Sequence, residues 1–155
     1  MIDTSRGHDK AVWLWRLLAA ASVLWLLWMT QRSQEMVVAD LAPLTEPAAA
    51  RGISSHVLIS IAGNVAVFVP LGLAVARSLA LGRGMAPPAA LAGGTAFGAL
   101  VSVCIEMLQM LSPSRFPDWR DLVLNTLGAL VGAIVAVLIG YFRRQKAEEE
   151  NDDSL

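Results

Sequence analysis

The stretch LVLNTLGALVGAIVAVLIGYF, residues 122–142, runs for twenty-one positions without a charge. At the roughly 1.5 Å rise of an α-helix it is about 30 Å long, the hydrocarbon thickness of a bilayer. Its only amide is Asn125, and no face of it is polar enough to lie against water. It reads as a transmembrane helix rather than as one helix of a soluble bundle.

Working outward, three further apolar runs have similar length: approximately 11–29, 53–76 and 87–111. The first holds Trp13 and Trp15 near one end and Trp25 and Trp28 near the other, where amphipathic rings favour the two membrane interfaces. The second contains Asn64 and Pro70; this mid-helix proline is expected to kink it and to free a carbonyl one turn earlier. The third starts at Pro87-Pro88, a suitable helix start because the missing N–H groups would go unbonded there anyway. The chain is therefore expected to be all-α, a single domain over 155 residues built as a four-helix integral membrane bundle.

Composition agrees. Hydrophobic residues make up 55% and charged residues 16%, against about 25% charged in soluble domains, and mean hydropathy is +0.56. A net charge of -1 offers no basic field, so nucleic acid is not an expected partner. The single cysteine, Cys104, excludes an internal disulfide, and with only two isolated histidines, His8 and His56, the usual metal-ligand spacings are missing. Neither metal nor cofactor is expected. Arg6, Lys10 and Arg16 resemble the basic start of a signal peptide. The apolar run is too long for one, however, and the triplet Val37-Val38-Ala39 lies well past its end, so the first helix is expected to stay attached.

Lys and Arg placement sets an expected orientation. With the N-terminus inside, Arg6, Lys10, Arg16, Arg77, Arg83, Arg143, Arg144 and Lys146 lie inside, and Arg32, Arg51, Arg115 and Arg120 outside. Eight against four favours N-in, C-in. The acidic tail, 147–155, is then cytoplasmic and reads as a solvated, frayed end.

Polar groups inside apolar spans need partners, because an ionisable residue at mid-membrane costs about 2.5–3.5 kcal/mol on insertion scales. In the expected topology Asn64, Glu106, Gln109, Asp121 and Asn125 all fall in the outer half, under a loop carrying Arg115, Asp118 and Arg120, and the inner half of these helices is almost wholly apolar. At about 100° per residue, Asp121, Asn125, Gly128 and Gly132 share about 60° of arc, and Gly94, Gly98, Ser102, Glu106 and Gln109 about 120°. Gly94-xxx-Gly98 and Gly128-xxx-Gly132 are small-xxx-small spacings, which let helix backbones approach closely in lipid. Thus Gly94, Gly98, Gly128 and Gly132, with Pro70, are the expected packing positions. Either Asp118 or Asp121 could also cap the fourth helix, with Asp121 slightly favoured.

These residues resemble a known pattern. Asn64-Val-Ala-Val-Phe-Val-Pro-Leu-Gly72 is similar to the N-x-x-x-F-x-P-x-G segment of VanZ-like membrane proteins. Glu106-x-x-Gln109, Arg115 and Asp121-x-x-x-Asn125-Thr-Leu-Gly128 with Gly132 look like the second half of the same pattern. The match covers about half the chain, and its order and spacing are more specific than any one piece. Asp40-Leu-Ala-Pro43 only weakly echoes an N-x-x-P segment, with aspartate where asparagine is usual, and nothing is carried over from it. The family takes its name from a protein encoded with glycopeptide resistance genes that raises tolerance to teicoplanin. The resemblance implies a multi-pass protein of the bacterial inner membrane acting near the cell envelope, without implying drug resistance for this chain.

Three functions fit these residues. The first is a non-enzymatic binding or accessory module. Its functional cluster (Asn64, Glu106, Gln109, Arg115, Asp118, Asp121 and Asn125) would engage an amphipathic ligand, with membrane lipid, a cell-wall precursor, a glycopeptide or an envelope protein as the expected partners. The second is an enzyme on a lipid-linked substrate, with Glu106 and Asp121 as acid and base. It lacks a nucleophile paired with a histidine, so no catalytic residues are assigned. The third is a purely structural cluster in which Glu106 pairs with Arg115 or Arg120 and the amides clamp helices together.

Overall fold

The computed structural model describes residues 4–30, 43, 55–110 and 118–152, and among these there are four long helices and no strand. They are α1 (Thr4–Thr30), α2 (Ser55–Gly82), α3 (Pro87–Gln109) and α4 (Trp119–Asp152). Within each lies a segment long and apolar enough to cross a membrane: Gly7–Met29, Ile61–Gly82, Pro87–Gln109 and Trp119–Asp152. The bundle is all-α with four candidate spans, as the hydropathy pattern required.

Two boundaries differ from the sequence reading. The helix of α2 passes through Pro70 and runs on to Gly82, so Arg77 is part of it rather than of the turn that follows. The turn closes at Gly84, whose φ of 61° is in the left-handed region, and the Met85 N–H reaches back 3.4 Å to the Leu79 carbonyl. This is the geometry by which a glycine after a helix satisfies its last carbonyls. The start of α3 at Pro87-Pro88 is as expected, with Ala86 extended at the N-cap. Nor is the tail frayed over its described part: α4 continues to Asp152 as an exposed helix with a Lys146–Glu150 pair at 3.8 Å, one turn apart. An exposed pair of this kind contributes only a few tenths of a kcal/mol, about 0.3–0.5.

Helix α2 is the hub. It packs most extensively on α4 and also on α1 and α3, α3 packs on α4, and α1 barely touches α3. Contacts fix the directions. Val12 of α1 lies against Gly82 and the His8 ring against the Leu81 carbonyl, so α1 runs antiparallel to α2. Gly128 faces Val65 and Gly132 faces Val69, so α4 runs parallel to α2. Gly98 faces Ala129 while Ser102 bonds Asn125, so α3 is antiparallel to α4. The first residue of α1 and the last of α4 therefore lie at the same end of the bundle.

The α2–α4 seam explains the glycines. A Cβ added at Gly128 would strike the Val65 carbonyl, one at Gly132 the Val69 carbonyl, and one at Gly72 the Ala129 carbonyl. Backbone meets backbone here, which only residues without a side chain permit. Gly94 approaches the Gly72 carbonyl and Gly98 the Ala129 side chain, so α3 docks into the same seam. Gly94, Gly98, Gly128 and Gly132 thus lie at close approaches between helices, and Gly72, not singled out for packing from the sequence, lies at one as close. Phe68, Leu71 and Ala129 are fully enclosed around this seam, whereas Trp13, Trp25 and Trp28 of α1 are exposed to the surroundings.

Candidate functional site

Asn64, Glu106, Gln109, Asp118, Asp121 and Asn125 lie at the end of the bundle opposite the first residue of α1 and the last of α4. Asn64 sits in the first half of α2, Asp121 in the first turn of α4, and the parallel seam brings them level. The Asn64 Nδ2 donates to Asp121 Oδ1 at 2.6 Å. One turn deeper, Asn125 Nδ2 donates to Ser102 Oγ of α3 at 2.9 Å. Both of these are buried: Asn125 is 5% exposed and Ser102 has no exposure. Asn125 Oδ1 is buried without a hydrogen-bond partner. At the rim, Glu106 Oε2 accepts the backbone N–H of Asp118 at 3.3 Å. Two hydrogen-bonded links thus tie α4 to α2 and to α3, and a third ties α3 to the start of α4.

The capping question resolves against the sequence preference. Asp118 stands just before α4, and its Oδ1 accepts the Arg120 N–H at 2.9 Å, satisfying an otherwise unbonded donor of the first turn. Its carbonyl accepts the Asp121 N–H at 3.0 Å. Because Asp118 takes the cap, the Asp121 carboxylate is available for the interhelical bond to Asn64. Asp118 is exposed, and its place in the cluster is that of a helix cap. Arg120 is exposed too, and its guanidinium makes no ion pair among the described residues. Gln109, half-buried at the end of α3, makes no side-chain hydrogen bond among them. Arg115 lies outside the described residues.

Ser102 is the partner that sequence reasoning left out of the cluster, although the helical phase had placed it one turn before Glu106 on the glycine stripe. A serine in a membrane helix usually bonds its own backbone, as Ser22, which donates to Leu18, does here. Only the approach of α4 makes Ser102 an acceptor. Arg77 is a second omission: the half of the bundle away from the polar cluster is not wholly apolar, because this arginine is 4% exposed inside α2. No group of three or more metal-ligating side chains occurs among the described residues.

No curated protein and no solved structure matches the chain. The VanZ/LLP1 family model matches residues 11–140, a segment that takes in most of α1, all of α2 and α3, and α4 as far as Gly140. That segment holds the seam glycines and every described residue of the polar cluster, and its four helices each contain a stretch fit to cross a bilayer. This chain is a multi-pass membrane protein and belongs to the VanZ/LLP1 family.

Proposed function

We propose that the protein is a non-enzymatic binding module of the cell envelope, sited in the bacterial inner membrane. In this reading the polar end of α2, α3 and α4 faces outward and engages an amphipathic ligand, such as a lipid-linked cell-wall precursor or a glycopeptide. The observation that carries it is the convergence of polar side chains from three helices at one end of an otherwise apolar bundle. Asn64–Asp121 and Asn125–Ser102 hold the helices in register. Glu106 and Gln109, one turn apart on α3 at its end, present a carboxylate and an amide to a ligand. Arg115 and Arg120 supply the guanidinium groups suited to phosphate or carboxylate.

The enzyme reading draws less support. It asks Asp121 to transfer a proton through a carboxylate whose Oδ1 already accepts the Asn64 amide at 2.6 Å.

Glu106→Gln, Arg115→Ala and Asp121→Asn test the binding reading when membrane abundance and glycopeptide or lysozyme sensitivity are measured together. Normal abundance with altered sensitivity is the expected result for Glu106→Gln and Arg115→Ala. Loss of abundance in all three would reduce the cluster to a packing device, and turnover of a purified lipid-linked substrate would replace binding by catalysis. The outward orientation rests on the eight-to-four distribution of Lys and Arg. A reporter joined after Leu155 that is active only when exported would overturn it.

A further inference from the structure

The opposite end of the bundle contains a buried charge that no carboxylate among the described residues neutralises. Arg77 lies on the flank of α2 between α1 and α4, 4% exposed. Its guanidinium carbon is 6.0 Å from the centroid of the Trp15 ring. On the other side Nη1 fills the space left by Gly140 of α4, where a Cβ would come within 3.0 Å. The Nε is buried and has no hydrogen-bond partner. No carboxylate meets the group among the described residues, and the charges that reach it, those of Arg143 and Arg144 one turn beyond Gly140, have the same sign. A stacked ring offsets only part of the cost of desolvating an arginine, and two further cations add to that cost.

We propose that Arg77, Arg143 and Arg144 form a binding site for the phosphate of an anionic phospholipid, drawn from the leaflet at the end of the bundle where the first residue of α1 and the last of α4 lie. The chemistry suits the residues: a guanidinium binds phosphate oxygens bidentately, and clusters of arginine at this level attract anionic headgroups. Depth separates a lipid from a soluble anion. Arg77 precedes the end of α2 at Gly82 by five residues, which places it about 8 Å below the helix end. That is the level of the phosphate and glycerol rather than of bulk water, and Trp15 marks the same level. Just membrane-ward of the arginine pair, Leu138, Tyr141 and Phe142 of α4 are exposed and give acyl chains an apolar wall.

The test uses the full chain in mild detergent, with phosphatidylglycerol, phosphatidylcholine or inorganic phosphate added separately and bound species counted by native mass spectrometry. Phosphatidylglycerol is expected to be retained in preference to phosphatidylcholine. Arg143→Gln and Arg144→Gln should each weaken its retention about fivefold, the effect of one basic charge at a membrane surface. Arg77→Gln should weaken it roughly tenfold or more, the loss of charge-assisted hydrogen bonds. Gly140→Ala displaces the guanidinium without removing a charge and should also lower retention, which keeps the site testable if Arg77→Gln fails to fold. Equal retention of the two lipids by the wild type, or unchanged retention in all the variants, would overturn the site. Binding of inorganic phosphate that displaces the lipid without headgroup preference would overturn the lipid assignment in favour of a soluble anion.

Discussion

The two ends of this bundle solve the problem of polarity in an apolar medium in opposite ways. At one end asparagine, serine and carboxylate side chains from α2, α3 and α4 bond one another: Asn64 to Asp121 and Asn125 to Ser102. At the other end Arg77 is as deeply buried as Asn125 but, among the described residues, has an aromatic face, a glycine gap and two more cations around it. Both ends hang on one parallel seam, where Gly72, Gly128 and Gly132 bring the α2 and α4 backbones into contact. Polar groups that satisfy one another define how helices pack. A charge left without an anionic partner among the described residues calls for one from outside, and at the arginine end a lipid phosphate would supply it.

The seam is the place to break both ends at once. Gly132→Val puts a branched side chain onto the Val69 carbonyl. We expect a loss of about 3 kcal/mol or more, the upper range for overpacking, since backbone rather than a flexible side chain must move. Thermal unfolding in detergent measures it, and a near-normal midpoint would show that the seam is looser than the glycine contacts require.

Ser102→Ala attacks the amide end alone. It leaves the Asn125 Nδ2 buried without an acceptor, beside an Oδ1 that already lacks a donor. A cost of about 1–3 kcal/mol is expected, and Ser102→Thr, which keeps the hydroxyl, should recover part of it. Arg77→Met should do the reverse at the other end. In detergent without anionic lipid it is expected to raise stability by about 1 kcal/mol, because an unpaired buried charge is replaced by an apolar chain of similar length. Added phosphatidylglycerol should close the gap by stabilising the wild type. A fall in the unfolding midpoint of Arg77→Met without lipid would mean that the stacking on Trp15 outweighs the desolvation.

The smallest effect is expected from Asn64→Ala, which removes one partly buried bond to Asp121. Interhelical hydrogen bonds in membranes average about 0.6 kcal/mol and reach about 1.7. A double-mutant cycle with Asp121→Asn isolates the pair, and a coupling indistinguishable from zero would remove it as a clamp.

Much of the bundle can be read directly from residue order. Runs of about twenty apolar residues leave few options for a chain with so little charge, and Pro87-Pro88 marks a helix start because proline lacks the N–H that goes unbonded there. Helical phase placed Asn125, Gly128 and Gly132 on one stripe, and all three are buried. The phase of a single helix, however, does not say which helix it faces. Nothing in the sequence announces that α2 and α4, separated by a whole helix, lie parallel and level, so the pairing of Asn64 with Asp121 was out of reach. The choice of Asp118 over Asp121 as the cap was also hidden, because both carboxylates lie within reach of the first turn and only the competing amide of α2 separates them.

Arg77 marks the boundary most clearly. By sequence it is a basic residue after an apolar run, and such residues ordinarily lie at the membrane surface. Hydrophobicity, length and small-residue spacing are local properties, and by themselves they determined that this protein is four helices in a membrane with close-packed glycine stripes. Burial and partnership depend on what other segments bring to the same point. Only the tertiary structure decided that one end of the bundle bonds polar groups of three helices to one another and that the other holds an arginine with no anionic partner among the described residues.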